Sequence, residues 1–119
     1  MKVAIIKYNA GNIYSVDYAL KRLGVEAVVT ADKNELRAAD KVIFPGVGEA
    51  ETTMKFLHAS GMDALIKELR QPLLGICLGM QVMCRHSEEG GDVDCLGIFD
   101  MEVKRFVPQK HEDNCLLYT

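Results

Sequence analysis

One cysteine in this chain stands where a nucleophile would be built. Residues 75–81 read Gly75-Ile76-Cys77-Leu78-Gly79-Met80-Gln81, with a glycine two before and two after Cys77. This is the G-x-nucleophile-x-G pattern of a strand-to-helix elbow, with cysteine as the reacting residue. The need is steric. A nucleophile held in a strained turn leaves no room for side chains at the two flanking positions, and glycine removes the collision. At the start of a helix, unpaired N–H groups and the helix dipole favour a thiolate. The Leu78 N–H is then placed to donate to a developing oxyanion. The plainer reading is a buried core cysteine that happens to lie near glycines. The complete order of apolar strand, GxCxG and helix favours the nucleophile. Cys84 reads as packing, and Cys95 and Cys115 fall in loop-like sequence. The four cysteines form no CxxC pair and no zinc-ligand spacing, and no metal site is expected.

A second feature is Phe44-Pro45-Gly46-Val47-Gly48, which follows an apolar run. Two glycines let the backbone approach a ligand and expose its N–H groups. A simple Pro-Gly turn would look the same taken alone. The first loop, Tyr8-Asn9-Ala10-Gly11-Asn12, lacks the G-x-G-x-x-G spacing of a dinucleotide site. No Walker-type phosphate loop occurs, and no cofactor is expected.

These features need a scaffold. Residues 2–7 read as a buried strand ending in polar residues. Ile13, Val16, Ala19, Leu20 and Leu23 recur at three- and four-residue steps, which gives one apolar helix face, with Gly24 as its stop. Residues 25–30 read as a second strand. Asp32 caps a short helix through Ala39. Residues 41–44 are a third strand, 50–60 and 62–70 are helical, and 72–76 are a fourth strand. Residues 78–86 read as a helix ending near Gly90-Gly91. Residues 96–99 and 101–106 read as short strands that could form a hairpin. Alternating strands and helices predict an α/β fold, an open parallel sheet with helices on both faces. In such a sheet the loops after the strands gather on one edge, so Cys77, the Pro45-Gly46-Val47-Gly48 loop and the first loop can share a pocket. The polar stretch 108–119 reads as an irregular tail.

The chain has 119 residues, enough for one domain. With 14 basic and 17 acidic residues and no basic stripe, nucleic acid is not expected as a partner. No apolar run approaches a membrane span. The short run after Met1 does not read as a signal peptide, so a cytoplasmic location with free thiols is expected.

Together these motifs resemble the class I (triad) glutamine amidotransferases, over residues 1–107. The Pro45-Gly46-Val47-Gly48 loop and the first turn look most like the branch that serves a cyclase in histidine biosynthesis. The resemblance implies a flavodoxin-like sheet and a set of roles. Cys77 would attack the side-chain amide of glutamine. The Leu78 N–H with Gly46, Val47 and Gly48 would form the oxyanion hole, after a peptide flip in that loop. Gly48 and Gln81 would bind glutamine. The ammonia would pass to a (β/α)8-barrel cyclase subunit in a heterodimer, with Asn12 toward that partner.

The resemblance also implies a His-x-Glu pair well after the cysteine, with the histidine as base and the glutamate orienting it. This chain has only His58, His86 and His111. His58 reads as a surface side chain. His86, at the end of the expected helix, would stand about 13 Å from Cys77. In His111-Glu112-Asp113 the glutamate follows the histidine directly rather than one residue on, and a solvated loop is the better reading. The resemblance fades after Pro108. The chain is therefore expected to be truncated or altered at its C-terminus, with an incomplete sheet and an incomplete triad. Other readings stay open: a non-enzymatic remnant of the fold, the glutaminase of pyridoxal phosphate synthesis, or a stand-alone cysteine hydrolase using His111.

Overall fold

The structure is a computed structural model that describes residues 1–9, 12–89 and 91–107. Ala10, Gly11 and Gly90 lie outside the described residues, as do the expected tail, His111-Glu112-Asp113 and Cys115.

Strands and helices alternate as the apolar patterning predicts. The order is β1 (Val3–Ile6), α1 (Ile13–Arg22), β2 (Ala27–Thr30), α2 (Lys33–Ala38), β3 (Lys41–Phe44), α3 (Ala50–Ser60), α4 (Met62–Glu68), β4 (Leu73–Gly75) and α5 (Leu78–Met83). The four strands form one parallel sheet in the order β2-β1-β3-β4. The winding reverses between β1 and β3. A crevice therefore opens beyond the carboxyl ends of these two strands, where ligands of open α/β sheets bind.

The alternation of side chains along each strand builds two cores. Ala4, Ile6, Val42 and Phe44 face one side and meet Leu36, Leu57, Ile66, Leu78 and Val82 from α2 to α5. Val3, Ile5 and Ile43 face the other side, where α1 packs through Ile13, Val16 and Leu20. Burial of each such Leu or Ile contributes about 1.5–3 kcal/mol. Among the described residues only α1 covers the second face. Toward β4 that face stays open: Leu74 is 57% exposed. An apolar cleft of ≈ 270 Å³ runs between Met1, Leu20, Ile43 and Leu74. It lies at the amino ends of the strands, opposite the Cys77 edge.

Local signals set several boundaries as expected. The Asp32 carboxylate caps α2 by accepting from the Asn34 and Glu35 N–H groups at 2.8 and 3.0 Å. Gly24 ends α1 at φ +76°, a conformation open to glycine. Leu23 departs from expectation. Its spacing puts it on the apolar face, yet it is 77% exposed, because the helix stops at Arg22 and the turn swings it outward.

The larger differences lie after Met83. The expected helix 78–86 ends there, and β5 (Cys84–Ser87) follows, with β6 (Val93–Asp94) and β7 (Phe99–Val103). These form a second sheet in the order β6-β5-β7, with β6 antiparallel and β7 parallel to β5. The expected hairpin of residues 96–99 with 101–106 is therefore not formed. Residues 78–86 carry no internal breaker after Gly79, so their local pattern reads as helix. Backbone pairing with β6 and β7 overrides that preference. The Leu96 N–H to the Val82 carbonyl, at 2.8 Å, ties this small sheet to the end of α5.

Candidate active site at the Cys77 elbow

Cys77 joins β4 to α5 at φ 54°, ψ −118°. Asn12 is the other non-glycine with positive φ among the described residues. A cysteine in this region costs of order 1–3 kcal/mol and persists only where the surroundings impose it. Both flanking glycines are sterically required. A Cβ on Gly75 would lie 2.7 Å from the Met80 Cα. A Cβ on Gly79 would lie 1.9 Å from the Phe44 carbonyl oxygen. The first turn of α5 thus packs directly on the end of β3. The Ile76 N–H donates to Phe44 O at 2.9 Å, and the Gln81 N–H donates to Cys77 O at 3.0 Å. The result is an exposed thiol at the sheet's carboxyl edge.

The Pro45-Gly46-Val47-Gly48 loop comes to the same place. Pro45 and Gly46 are buried, whereas Val47 and Gly48 are exposed. Gly48 has φ +122°, which favours glycine. The Leu78 N–H donates to the Gly46 carbonyl at 3.3 Å. The expected oxyanion donor is therefore engaged by the loop, and that carbonyl must turn away before the N–H can serve a substrate oxygen.

Two features escaped the sequence reading. The Tyr8 hydroxyl donates to the Pro45 carbonyl, and its ring meets Phe44 edge-on with centroids 5.2 Å apart. Burial holds the Tyr8 phenol well above its ordinary range, and the charge of nearby Cys77 adds to the shift. The residues lie 37 apart in the chain, and no local pattern announces their contact. Second, half-buried Gln81 borders a cleft of ≈ 570 Å³ with Glu88, Glu89, Lys104 and Arg105. Both carboxylates and both cations look like ordinary surface charge in the sequence; their convergence is tertiary.

Other candidates fall elsewhere. Asn12 precedes α1 at φ 66°, exposed, with its Oδ1 accepting from Ser15 Oγ at 3.4 Å. His58 lies in α3 with its side chain 60% exposed, paired to Asp63 at 2.7 Å. His86 does not end a helix. It sits in β5, with Nδ1 3.1 Å from Asp94 and Nε2 3.2 Å from Asp92. Both described histidines are thus engaged with carboxylates away from the elbow. Cys84 is buried, in line with a packing role, and burial pushes the Cys95 thiol up, helped by Cys84 and Asp94. Among the described residues no group of three His, Cys, Asp or Glu side chains gathers to hold a metal ion. No helix among them is long and apolar enough to cross a membrane.

A parallel sheet carrying a cysteine elbow at its carboxyl edge defines a class, and the comparisons agree with it. The model of the CobB/CobQ-like glutamine amidotransferase domain matches residues 2–118, and the chain belongs to this family of enzymes. It is 79% identical over 113 residues to the imidazole glycerol phosphate synthase subunit HisH of Bacteroides thetaiotaomicron, covering 95% of this chain and 57% of that protein. The HisH of Xanthomonas oryzae pv. oryzae is 51% identical over 106 residues, covering 89% of this chain and 52% of the relative. A crystal structure of a glutamine amidotransferase superposes with a TM-score of 0.73 at 27% identity, covering 90% of this chain and 59% of the other. The chain thus spans a little over half the length of the curated relatives it matches.

Proposed function

We propose that this chain is the N-terminal, nucleophile-bearing part of a glutaminase subunit of imidazole glycerol phosphate synthase. Cys77 Sγ attacks the side-chain amide carbon of glutamine. The C–N bond breaks, ammonia leaves, and water hydrolyses the thioester to glutamate and free thiol. The Leu78 N–H, joined by an N–H of the Gly46-Val47-Gly48 loop, stabilises the oxyanion once the Gly46 carbonyl has turned away. Gly48 and Gln81 hold glutamine. The neighbouring cleft suits a zwitterion, with Glu88 and Glu89 for the ammonium and Lys104 and Arg105 for the carboxylate. Ammonia passes to a (β/α)8-barrel cyclase subunit in a heterodimer, with Asn12 toward that partner. The cytoplasm is the expected location, and neither nucleic acid nor membrane takes part.

The observation that carries this reading is the positive-φ backbone of Cys77 between two glycines that no larger residue can replace. The high identity to HisH proteins supports the subfamily. The described residues supply a nucleophile and an oxyanion loop, while His58 and His86 are committed to other partners. Among the described residues the catalytic set is therefore incomplete on this reading.

The test is ammonia release from glutamine by this chain and by Cys77→Ala, with and without the cyclase and its ribulose-phosphate substrate. On this reading the chain alone releases little ammonia, while a glutamine-like electrophile alkylates Cys77. Full turnover by the chain alone would overturn the incomplete triad. Turnover unaffected by Cys77→Ala would overturn the nucleophile.

A further inference from the structure

Tyr8 follows β1 and is 7% exposed, a tyrosine inside the edge where the reacting thiol stands. Among the described residues its hydroxyl donates to one partner, the Pro45 carbonyl. That contact also explains a residue type. A Cβ on Gly46 would lie 1.9 Å from the Tyr8 hydroxyl oxygen and 3.2 Å from the Leu78 Cβ. Gly46 is thus a glycine because the phenol and α5 close on it from two sides. With the Pro45 carbonyl held, the Pro45–Gly46 peptide is fixed, and through the shared Gly46 Cα it restrains the Gly46–Val47 peptide that follows. This is the peptide whose carbonyl occupies the Leu78 N–H.

We propose that Tyr8 is a positioning residue that latches the residue 45–48 loop in its closed form, with the Gly46 carbonyl on the Leu78 N–H. This rests on the glutaminase reading for its consequence but not for its geometry. The latch joins two segments of the site edge. The phenol stays protonated at neutral pH, because burial, and then the charge of Cys77, oppose its ionisation. It therefore remains a donor to Pro45 whatever the state of the thiol.

The variant is Tyr8→Phe, which removes one oxygen and keeps the ring against Phe44. A neutral hydrogen bond of this kind contributes a net amount equivalent to roughly a 2- to 12-fold change in an equilibrium. The first readout is amide hydrogen exchange at Leu78, measured by NMR on this chain. Exchange is expected to rise by about that factor in Tyr8→Phe, with core amides such as Ile5 unchanged. Unchanged Leu78 exchange overturns the latch, whether or not the protein is a glutaminase. The second readout is steady-state glutamine hydrolysis by the longest natural polypeptide carrying this sequence, with and without its cyclase. Tyr8→Phe is expected to raise the partner-free kcat by about the same 2- to 12-fold, with KM unchanged. Partner stimulation should fall by the same factor. A partner-free kcat that is unchanged or lowered, in a parent whose turnover needs Cys77, overturns the latch as a control on chemistry. If the parent shows no Cys77-dependent turnover, the glutaminase reading fails and the Leu78 exchange result alone decides the latch.

Discussion

Cys77 is held in a backbone conformation that no cysteine adopts unforced, and the forcing contacts are identifiable. Gly79 lies so close to the Phe44 carbonyl that a methyl group there cannot be accommodated without moving the α5 backbone. Gly79→Ala should therefore destabilise the chain by about 3 kcal/mol, the upper end for overpacking, in urea unfolding followed by circular dichroism. An effect below 1 kcal/mol would mean that the elbow is looser than described. Thiol chemistry follows the same geometry. Cys77 is exposed, Cys84 is buried, and the Cys95 thiol is pushed up by burial. Iodoacetamide labelling mapped by mass spectrometry should modify Cys77 fastest in the folded chain, Cys95 more slowly, and Cys84 only in urea. Equal labelling of the three would count against the fold around the elbow. The elbow glycines are legible in sequence because their role is local. Tyr8 is not, since its partner is 37 residues away.

Among the elements, those with strong local signals emerged where the patterning puts them. The Asp32 cap fixes the start of α2, and Asp32→Ala should cost about 0.5–2 kcal/mol in the same urea experiment. β5 has no such signal. Its sequence, Cys84-Arg85-His86-Ser87, becomes a strand only because β6 and β7 flank it. His86 reports on that pairing. Hydrogen bonds to Asp94 first, then to Asp92, raise its pKa above the ordinary 6.5. A group whose folded pKa is raised favours folding while it is protonated. The contribution is complete below pH 6.5 and fades as pH climbs through the higher folded value. NMR titration should find the His86 midpoint above 6.5, and Asp94→Asn should bring it down toward that value. A midpoint at or below 6.5 in the parent would show that the His86–Asp94 contact does not persist in solution.

For the molecule as a whole, the asymmetry of the sheet dominates. Among the described residues α2 to α5 cover one face, while α1 alone covers the other, leaving Leu74 and the cleft near Met1 and Ile43 open to water. Exposed contiguous apolar surface of this kind binds hydrophobic dyes and promotes association. The chain should enhance 1-anilinonaphthalene-8-sulfonate fluorescence under native conditions. Leu74→Lys should lower that signal while changing stability by less than about 0.5 kcal/mol. No dye binding by the parent would mean that this face is covered in solution.

Periodicity and turn chemistry in the sequence determined the parallel α/β architecture, because the apolar steps of α1, the cap of α2 and the strand runs are local facts. The Gly-x-Cys-x-Gly spacing likewise marked Cys77, since only a strained strand-to-helix turn needs glycine at both flanks. Tertiary structure alone decided the rest. It set the Gly46 carbonyl on the Leu78 N–H, brought Tyr8 to Pro45, gathered Glu88, Glu89, Lys104 and Arg105 beside Gln81, and drew residues 84–87 into a strand. Each of these is a contact between segments far apart in the chain, or a pairing that outweighs local preference. Such contacts are fixed by how the layers pack, and no window of neighbouring residues contains them.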